Sequence, residues 1–490
     1  MRVNNKFFRL LENNKVEYQN KLAIIDGDDS INWSELHDLT LIMSQFLDDI
    51  YPESYDDKLK GLVIKGDGCA LHVLFIISSI LNFKIYIPFS RTIQRGNNNK
   101  IANFKSLVIK DNKVYHGSDT FSLSHFRQQK VPTKIKKTNP ESPAVFYYTS
   151  GTTGTPKTIV SSDTNLLRGG QYIIDALNLR TEDIIGGTLM LDFDYGVNQI
   201  ICNLILGATY IVCPFSSNRY SWLQEILNND VTILPTMPFL IESYFPKNKV
   251  FEVDSVRIVT SSGAPFTRLH AAKVQKLFPK AEIAPMYGLS EGFRSTILPP
   301  GEYGQKPESV GIPIGDTTIA VVDENYKPLP PYTVGQIVQS SGCTTWGYMG
   351  ETEKNSEKFF NDLKFPNRVW IKTGDLGYLD EDGYLFVKGR VDHQIKVFGI
   401  RISIDEIEMA FKKLQGIDNA IILPVNKNET ESNFVAGVVS KLSVNEIDKL
   451  IRSLPKEFQP ILWKKIPKVI ENNNGGKPDR TKNRTTYFDD

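Results

Sequence analysis

Tyr147-Tyr148-Thr149-Ser150-Gly151-Thr152-Thr153-Gly154-Thr155-Pro156-Lys157 lies between two apolar runs. The first, Pro143 to Tyr148, reads as a buried strand, and Ile159-Val160 opens what reads as a second one. Between them stand small hydroxyl residues, two glycines and a lysine. Glycine lets a backbone approach a ligand closely. Hydroxyls and backbone N–H groups hydrogen-bond an anion, and the lysine adds positive charge. This is the chemistry of a phosphate-holding loop. It is not the NTPase loop, G-x-x-x-x-G-K-[ST] opening a helix, because Thr155 and Pro156 separate Gly154 from Lys157 and a strand follows. Alone, such a string would also serve as a surface turn.

The 490 residues exceed one ordinary domain and can bury a large core. Hydrophobic and charged contents of 41% and 23% are those of a soluble globular protein. A net charge of +1 supplies no field for nucleic acid or an anionic membrane, and there is no basic, aromatic-rich strip. Cys69, Cys202, Cys213 and Cys343 lack C-x-x-C spacing and sit among apolar or small residues, which points to buried thiols. The histidines show no H-x-x-x-H pairing, so no structural metal is expected. Met1 to Tyr18 has no signal-peptide hydrophobic region. The longest apolar stretch, Cys69 to Phe83, falls short of the ~20 residues of a membrane span. A core helix and a cytoplasmic protein are expected.

Outward from the loop, strand-like and helix-like segments alternate. Leu22 to Asp29 reads as a hairpin. Ser34 is placed to cap a helix bearing Leu36, Leu39, Met43, Phe46, Leu47 and Ile50 on one face. Gly61 to Lys65, Lys84 to Pro88, Ala208 to Cys213, Val231 to Leu234, Val256 to Thr260 and Glu282 to Pro285 read as strands of α/β layers. Arg91 to Lys100 is polar and reads as a loop. Residues 301–345 become β-rich, and Val369 to Arg390 forms strands around the turn Asp380-Glu381-Asp382-Gly383. From about 393 a smaller unit begins, with a Ser403–Glu406 capping box, a helix through Ile404, Ile407, Phe411 and Leu414, strands near 419–425, 433–440 and 462, and a helix after Ser443. The expectation is an α/β protein: a large multi-subdomain N-terminal domain of layered sheets and helices, residues 1–392, and a small α+β C-terminal domain, 393–490.

The phosphate loop resembles that of the AMP-forming adenylating enzymes, which include acyl-CoA synthetases, luciferases and stand-alone amino-acid adenylation enzymes. Four further stretches resemble that family's motifs in its order, across nearly the whole chain. By resemblance, Thr149 to Gly154 and Lys157 hold the phosphates of ATP, with Thr152 and Lys157 assisting the chemistry. Ser261-Ser262-Gly263-Ala264-Pro265 resembles the segment that flanks adenine and the substrate carboxylate. In Met286-Tyr287-Gly288-Leu289-Ser290-Glu291, the tyrosine stacks on adenine, Ser290 meets the α-phosphate and Glu291 holds Mg²⁺. An aromatic face suits a purine and a hard oxygen suits Mg²⁺. Pro285 departs from the pattern, since many amino-acid-activating members carry Asn there. Asp375 takes the ribose hydroxyls, Arg390 reaches the same region, and Asp392 is the hinge. Lys477, in Gly475-Gly476-Lys477-Pro478-Asp479-Arg480, is the mobile lysine of the first step. Taken singly, the Y-G-x-S-E string would also fit a strand end, G-R-x-D a surface turn and the lysine segment a basic tail.

The reaction this implies is attack of a carboxylate oxygen on the α-phosphorus of ATP, with pyrophosphate leaving. Two anions must meet, so cations have to screen them while the reactants are held in line. The resemblance then implies a swing of the mobile C-terminal domain about Asp392. It opens a channel past Gly399 for a thiol of coenzyme A or of phosphopantetheine on a carrier protein. Ten residues follow Arg480, so any carrier is expected to be a separate protein.

Phe193, Asp194, Asn198, Ser262, Met286 and Arg294 occupy the positions of the acid pocket. In amino-acid-activating relatives an aspartate at the place of Asp194 pairs with the α-ammonium, whereas here Arg294 is an alternative partner. An arginine in that wall disfavours a long fatty acid and favours a small polar acid or an amino acid. Two other readings stay open: an acyl-AMP ligase with a non-thiol acceptor, and a non-catalytic nucleotide-binding relative.

Overall fold

The computed structural model describes residues 6–51, 61–81, 85–88, 105–132, 143–149, 157–213, 221–245, 252–361, 368–397, 400–428, 431–469 and 478–488. The chain divides into two compact units, Met1–Thr318 with Gln339–Ile371, and Ile319–Val338 with Lys372–Asp490.

In the first unit, Val-, Ile- and Leu-rich runs between turn residues form two large sheets. In the nine-stranded sheet, Leu22–Asp26, Thr209–Val212, Ile184–Gly187, Ile233–Thr236, Ile258–Ser261 and Glu282–Leu289 follow one another in parallel. Asp29–Asn32 closes one edge, and Phe293–Ile297 with Ile312–Pro313 closes the other, all antiparallel. The seven-stranded sheet carries Pro143–Thr149, which runs parallel to Ile85–Pro88 and antiparallel to Lys157–Ser162. Thr149 stands opposite Lys157, at the mouth of the glycine–hydroxyl loop. The loop itself, Ser150, Gly151, Thr152, Thr153, Gly154, Thr155 and Pro156, lies outside the described residues, as do Arg91 to Lys100.

The apolar stretch after Cys69 is a core helix, Ala70–Leu81, buried on every side. Its hydroxyls are satisfied within the helix: Ser78 and Ser79 donate to the carbonyls of Leu74 and Phe75, each at 2.7 Å. Burial pushes its His72 down to about 4. All four cysteines are free and buried. Among the described residues no helix is long and apolar enough to cross a membrane.

In the second unit, residues Asp375 to Leu379 of the strand Val369–Leu379 pair with Leu385–Arg390 around the Asp-Gly turn. A core built on Ile395, Val397, Ile402, Ile407 and Phe411 packs the helix Ile404–Lys413 on the hairpin Ile417–Asn428/Glu431–Ser440, with Leu462–Lys465 parallel to its second strand.

Some local expectations are corrected. The helix Trp33–Ile50 is capped by Asn32, whose side-chain oxygen accepts from the Glu35 N–H at 2.8 Å; Ser34 lies inside the first turn. Ser403 caps its helix through the Asp405 N–H at 3.2 Å, one residue short of a capping box with Glu406. The Glu282 strand runs on to Leu289, because the chain there finds an antiparallel partner in Phe293–Ile297. Two helices, Lys6–Glu17 and Arg480–Tyr487, were not expected.

Candidate active site

Ligands of open α/β sheets sit beyond the carboxyl ends of parallel strands. Thr236, Ser261 and Pro285 stand side by side at those ends, in register. Immediately beyond come Ser262 and Gly263 from one strand and Met286, Tyr287 and Gly288 along the next. Gly263 has φ +88, a left-handed conformation that favours glycine, and it turns the chain into exposed Ala264 and Pro265. After Ile184–Gly187, the chain passes Phe193 and enters the helix Asp194–Leu206, which puts Asp194, Tyr195 and Asn198 on its first turns.

The turn Ser290-Glu291-Gly292 folds the Tyr287 strand back, so that Arg294 lies opposite Gly288. A Cβ on Gly288 would stand 2.2 Å from the Phe293 carbonyl oxygen, so only glycine lets the two backbones approach. Phe293 closes the turn at φ 58, rare for a bulky residue.

Arg294 is 5% exposed. Its Nη2 donates to Asp194 Oδ2 at 2.6 Å and its Nη1 to Ser262 Oγ at 2.6 Å, while the guanidinium lies 4.9 Å from the centre of the Tyr195 ring. Close to this pair are polar atoms with no hydrogen-bond partner among the described residues: both amide atoms of Asn198, one helical turn beyond Asp194, Tyr147 Oη, and Nε of Arg294 itself. Buried polar groups are nearly always paired, so this cluster marks a place for a polar ligand or for water. Two residues before Asp194, burial pushes the Asp192 carboxyl up to about 7.

Glu291 is buried, and its Oε1 accepts from Tyr348 Oη at 2.5 Å with Lys358 Nζ at 3.6 Å. The Tyr348 ring lies 4.9 Å from Lys157 Nζ. Residues 346–349 are laid along Lys157–Ser162 by three backbone hydrogen bonds, Trp346 N–H to Val160 O, Val160 N–H to Gly347 O and Met349 N–H to Thr158 O. Thr345 donates from both N and Oγ1 to the Glu291 carbonyl, at 2.9 and 3.0 Å. Tyr348 therefore joins the expected phosphate lysine to the expected metal carboxylate. The sequence reading missed Tyr348, Lys358 and Thr345.

The second unit brings Asp375, Arg390 and Asp392 together. Arg390 Nη1 donates to Asp375 Oδ1 at 3.2 Å, and Nε donates to Asp392 Oδ1 at 2.9 Å. Partial burial alone would raise the Asp392 pKa, but the Arg390 guanidinium outweighs it and holds the carboxyl below its ordinary value. Farther along, Arg480 donates to Glu408 Oε1 at 2.5 Å and to Asp405 Oδ1 at 3.4 Å. Lys477, three residues before it, lies outside the described residues, as does Gly399.

A profile of the AMP-binding enzyme family matches residues 88–349, over half of the chain. The chain belongs to that family. This AMP-binding enzyme is 26% identical over 346 residues to delta-poly-L-ornithine synthetase of Acinetobacter baumannii (strain AB307-0294), which covers 69% of the chain. The chain spans 25% of that relative's length. To a D-alanine–D-alanyl carrier protein ligase of Listeria monocytogenes serovar 1/2a (strain ATCC BAA-679 / EGD-e) it is 26% identical over 432 residues, 82% of the chain and 84% of the relative. Its fold matches o-succinylbenzoate CoA synthetase from Bacillus subtilis, solved with an acyl-adenylate intermediate. There the TM-score is 0.82 at 19% identity, over 96% of this chain and 97% of that one. The AMP-binding enzyme thus has the α/β fold of the adenylating enzymes, with a small C-terminal domain.

Proposed function

We propose that this enzyme activates a small polar carboxylic acid or amino acid with ATP, releasing pyrophosphate, and passes the acyl group to a pantetheine thiol. In the first step a carboxylate oxygen bonds to the α-phosphorus as the bond to pyrophosphate breaks. In the second, the thiol sulfur bonds to the acyl carbon and AMP leaves with the electron pair of the C–O bond.

The observation that carries this reading is the turn 288–294. It sets Glu291, in contact with Tyr348, three residues from Arg294, which faces Asp194 and Ser262. A place for anionic phosphates and a polar place for an acid thus share one turn. Lys157, with the Thr149–Gly154 loop, would hold the phosphates. Tyr287 with Gly263, Ala264 and Pro265 would bracket adenine, and Ser290 would meet the α-phosphate. Asp375, with Arg390, would take the ribose, and Lys477 would screen carboxylate from α-phosphate.

Glu291 fits Mg²⁺: it is a hard oxygen donor in a buried place, and Mg²⁺ commonly takes only one or two carboxylates, with substrate phosphates completing its shell. When bound, the ion would neutralise charge developing on the phosphates. The core that begins at Ile395 supports a C-terminal domain of residues 393–490, which would turn about Asp392.

The names of the relatives support a thiol acceptor of either kind, a separate carrier protein or coenzyme A. Carboxylate-dependent ATP–pyrophosphate exchange across amino, hydroxy, aryl and fatty acids tests the first step. Exchange with one class is expected, and silence across all of them with ATP still bound would overturn the reading. Transfer of a labelled acyl group to coenzyme A or to a pantetheinylated carrier then separates the acceptors.

A further inference from the structure

Asp194 is the residue that would receive an α-ammonium group, yet a cation already holds it. From this we infer that Arg294 sets the substrate class. The acid activated here carries a neutral hydrogen-bonding group such as a hydroxyl, and no α-ammonium. The inference rests on the adenylating activity proposed above and narrows its acid.

The Asp194–Arg294 pair is neutral as a whole, so a substrate ammonium would bring a second positive charge to a single buried carboxylate. At an effective dielectric of about 20, two like charges about 5 Å apart repel by somewhat more than a hundredfold in binding; attraction to Asp194 offsets part of this and leaves an expected loss on the order of tenfold. Nor can Arg294 easily withdraw. Leaving Asp194 would also break its bond to Ser262 and lift it off the Tyr195 face, with almost no solvent to enter. Separating such a buried pair is costly.

The rest of the pocket is neutral and polar. Asn198 lies one helical turn beyond Asp194 on the helix that carries Tyr195. Tyr147 stands within the fields of both Asp194 and Arg294. Each is buried and has polar atoms without a partner among the described residues. Amides and hydroxyls both donate and accept, which matches a hydroxyl or carbonyl. An alkyl chain would leave them unpaired, and sites built to hydrogen-bond reject ligands lacking the group.

The test uses pairs matched in shape: glycolate with glycine, lactate with alanine, glycerate with serine. Each is measured by ATP–pyrophosphate exchange. Binding of lactoyl- and alanyl-sulfamoyladenosine is measured by calorimetry, which needs no turnover. The parent should favour the hydroxy member at least tenfold in exchange or in analogue binding. Because Arg294→Met alone strands a buried carboxylate, the double variant Asp194→Asn with Arg294→Gln is the companion. It keeps the hydrogen-bonding shape without the charges and should bring each pair within about threefold. Equal or stronger use of the amino member by the parent, or an unchanged preference in the double variant, overturns the inference while the adenylating activity stands. Failure of every acid and both analogues overturns the two together.

Discussion

Tyr348→Phe deletes one oxygen. The ring stays, with its face toward Lys157 at 4.9 Å and its backbone bridge to Ile159. Lost is the 2.5 Å hydrogen bond to Glu291 Oε1. A hydrogen bond to a charged group contributes about 1.5–3 kcal/mol. If Tyr348 aims the carboxylate, its loss should lower exchange by ~10–100-fold at limiting Mg²⁺, and excess Mg²⁺ should recover part of the loss. The nearby Lys358 at 3.6 Å would draw the freed carboxylate aside, which adds to the Mg²⁺ requirement. The assay is ATP–pyrophosphate exchange titrated with Mg²⁺ at fixed acid, beside urea denaturation to show that the fold persists. A variant within twofold of the parent at every Mg²⁺ concentration would refute the positioning role. So would an equal loss at all concentrations.

Lys477→Ala should cost adenylation ~10²–10³-fold while sparing thioester formation from supplied acyl-AMP, and equal loss of both half-reactions would remove its assignment. Gly288→Ala puts a Cβ 2.2 Å from the Phe293 carbonyl; the hairpin must open, with a stability loss of about 1–3 kcal/mol in urea denaturation and little remaining exchange. Asp192 titrates at about 7 in the folded chain against an ordinary 3.8, through burial. Its protonated form favours folding fully below about pH 4, and that contribution is lost as pH rises through about 7. Asp192→Asn should therefore flatten the decline between pH 4 and 7 and exceed the parent at pH 8, by at most about 4 kcal/mol, in denaturation at both ends of the range.

Most of the parallel strands could be read in advance because each is a short Ile/Val/Leu run between turn residues, and the chemistry follows at their ends; Ile184–Gly187 escaped notice because two of its four residues are glycine. The helix Lys6–Glu17 was hidden because a polar side chain sits on its inward face: Asn14 is buried and donates to the Leu204 carbonyl at 2.7 Å. Arg480–Tyr487 has no apolar stripe to betray it. Its start is held by the Asp479 cap and by the Arg480 pairs with Glu408 and Asp405. Tyr348 had no local signal either, since its partner Glu291 is 57 residues away and only strand pairing brings them together. Asp194 and Arg294 could both be named from sequence, but their pairing had to be seen.

The left-handed Phe293 has a consequence for anyone wishing to redirect this enzyme. It closes a turn with Glu291 on one side and Arg294 on the other, so choice of acid and handling of phosphate are mechanically neighbours. A library built at position 294 would sample catalytic damage together with selectivity. Asn198 projects from a separate helix, and evolving the pocket there would leave that turn undisturbed.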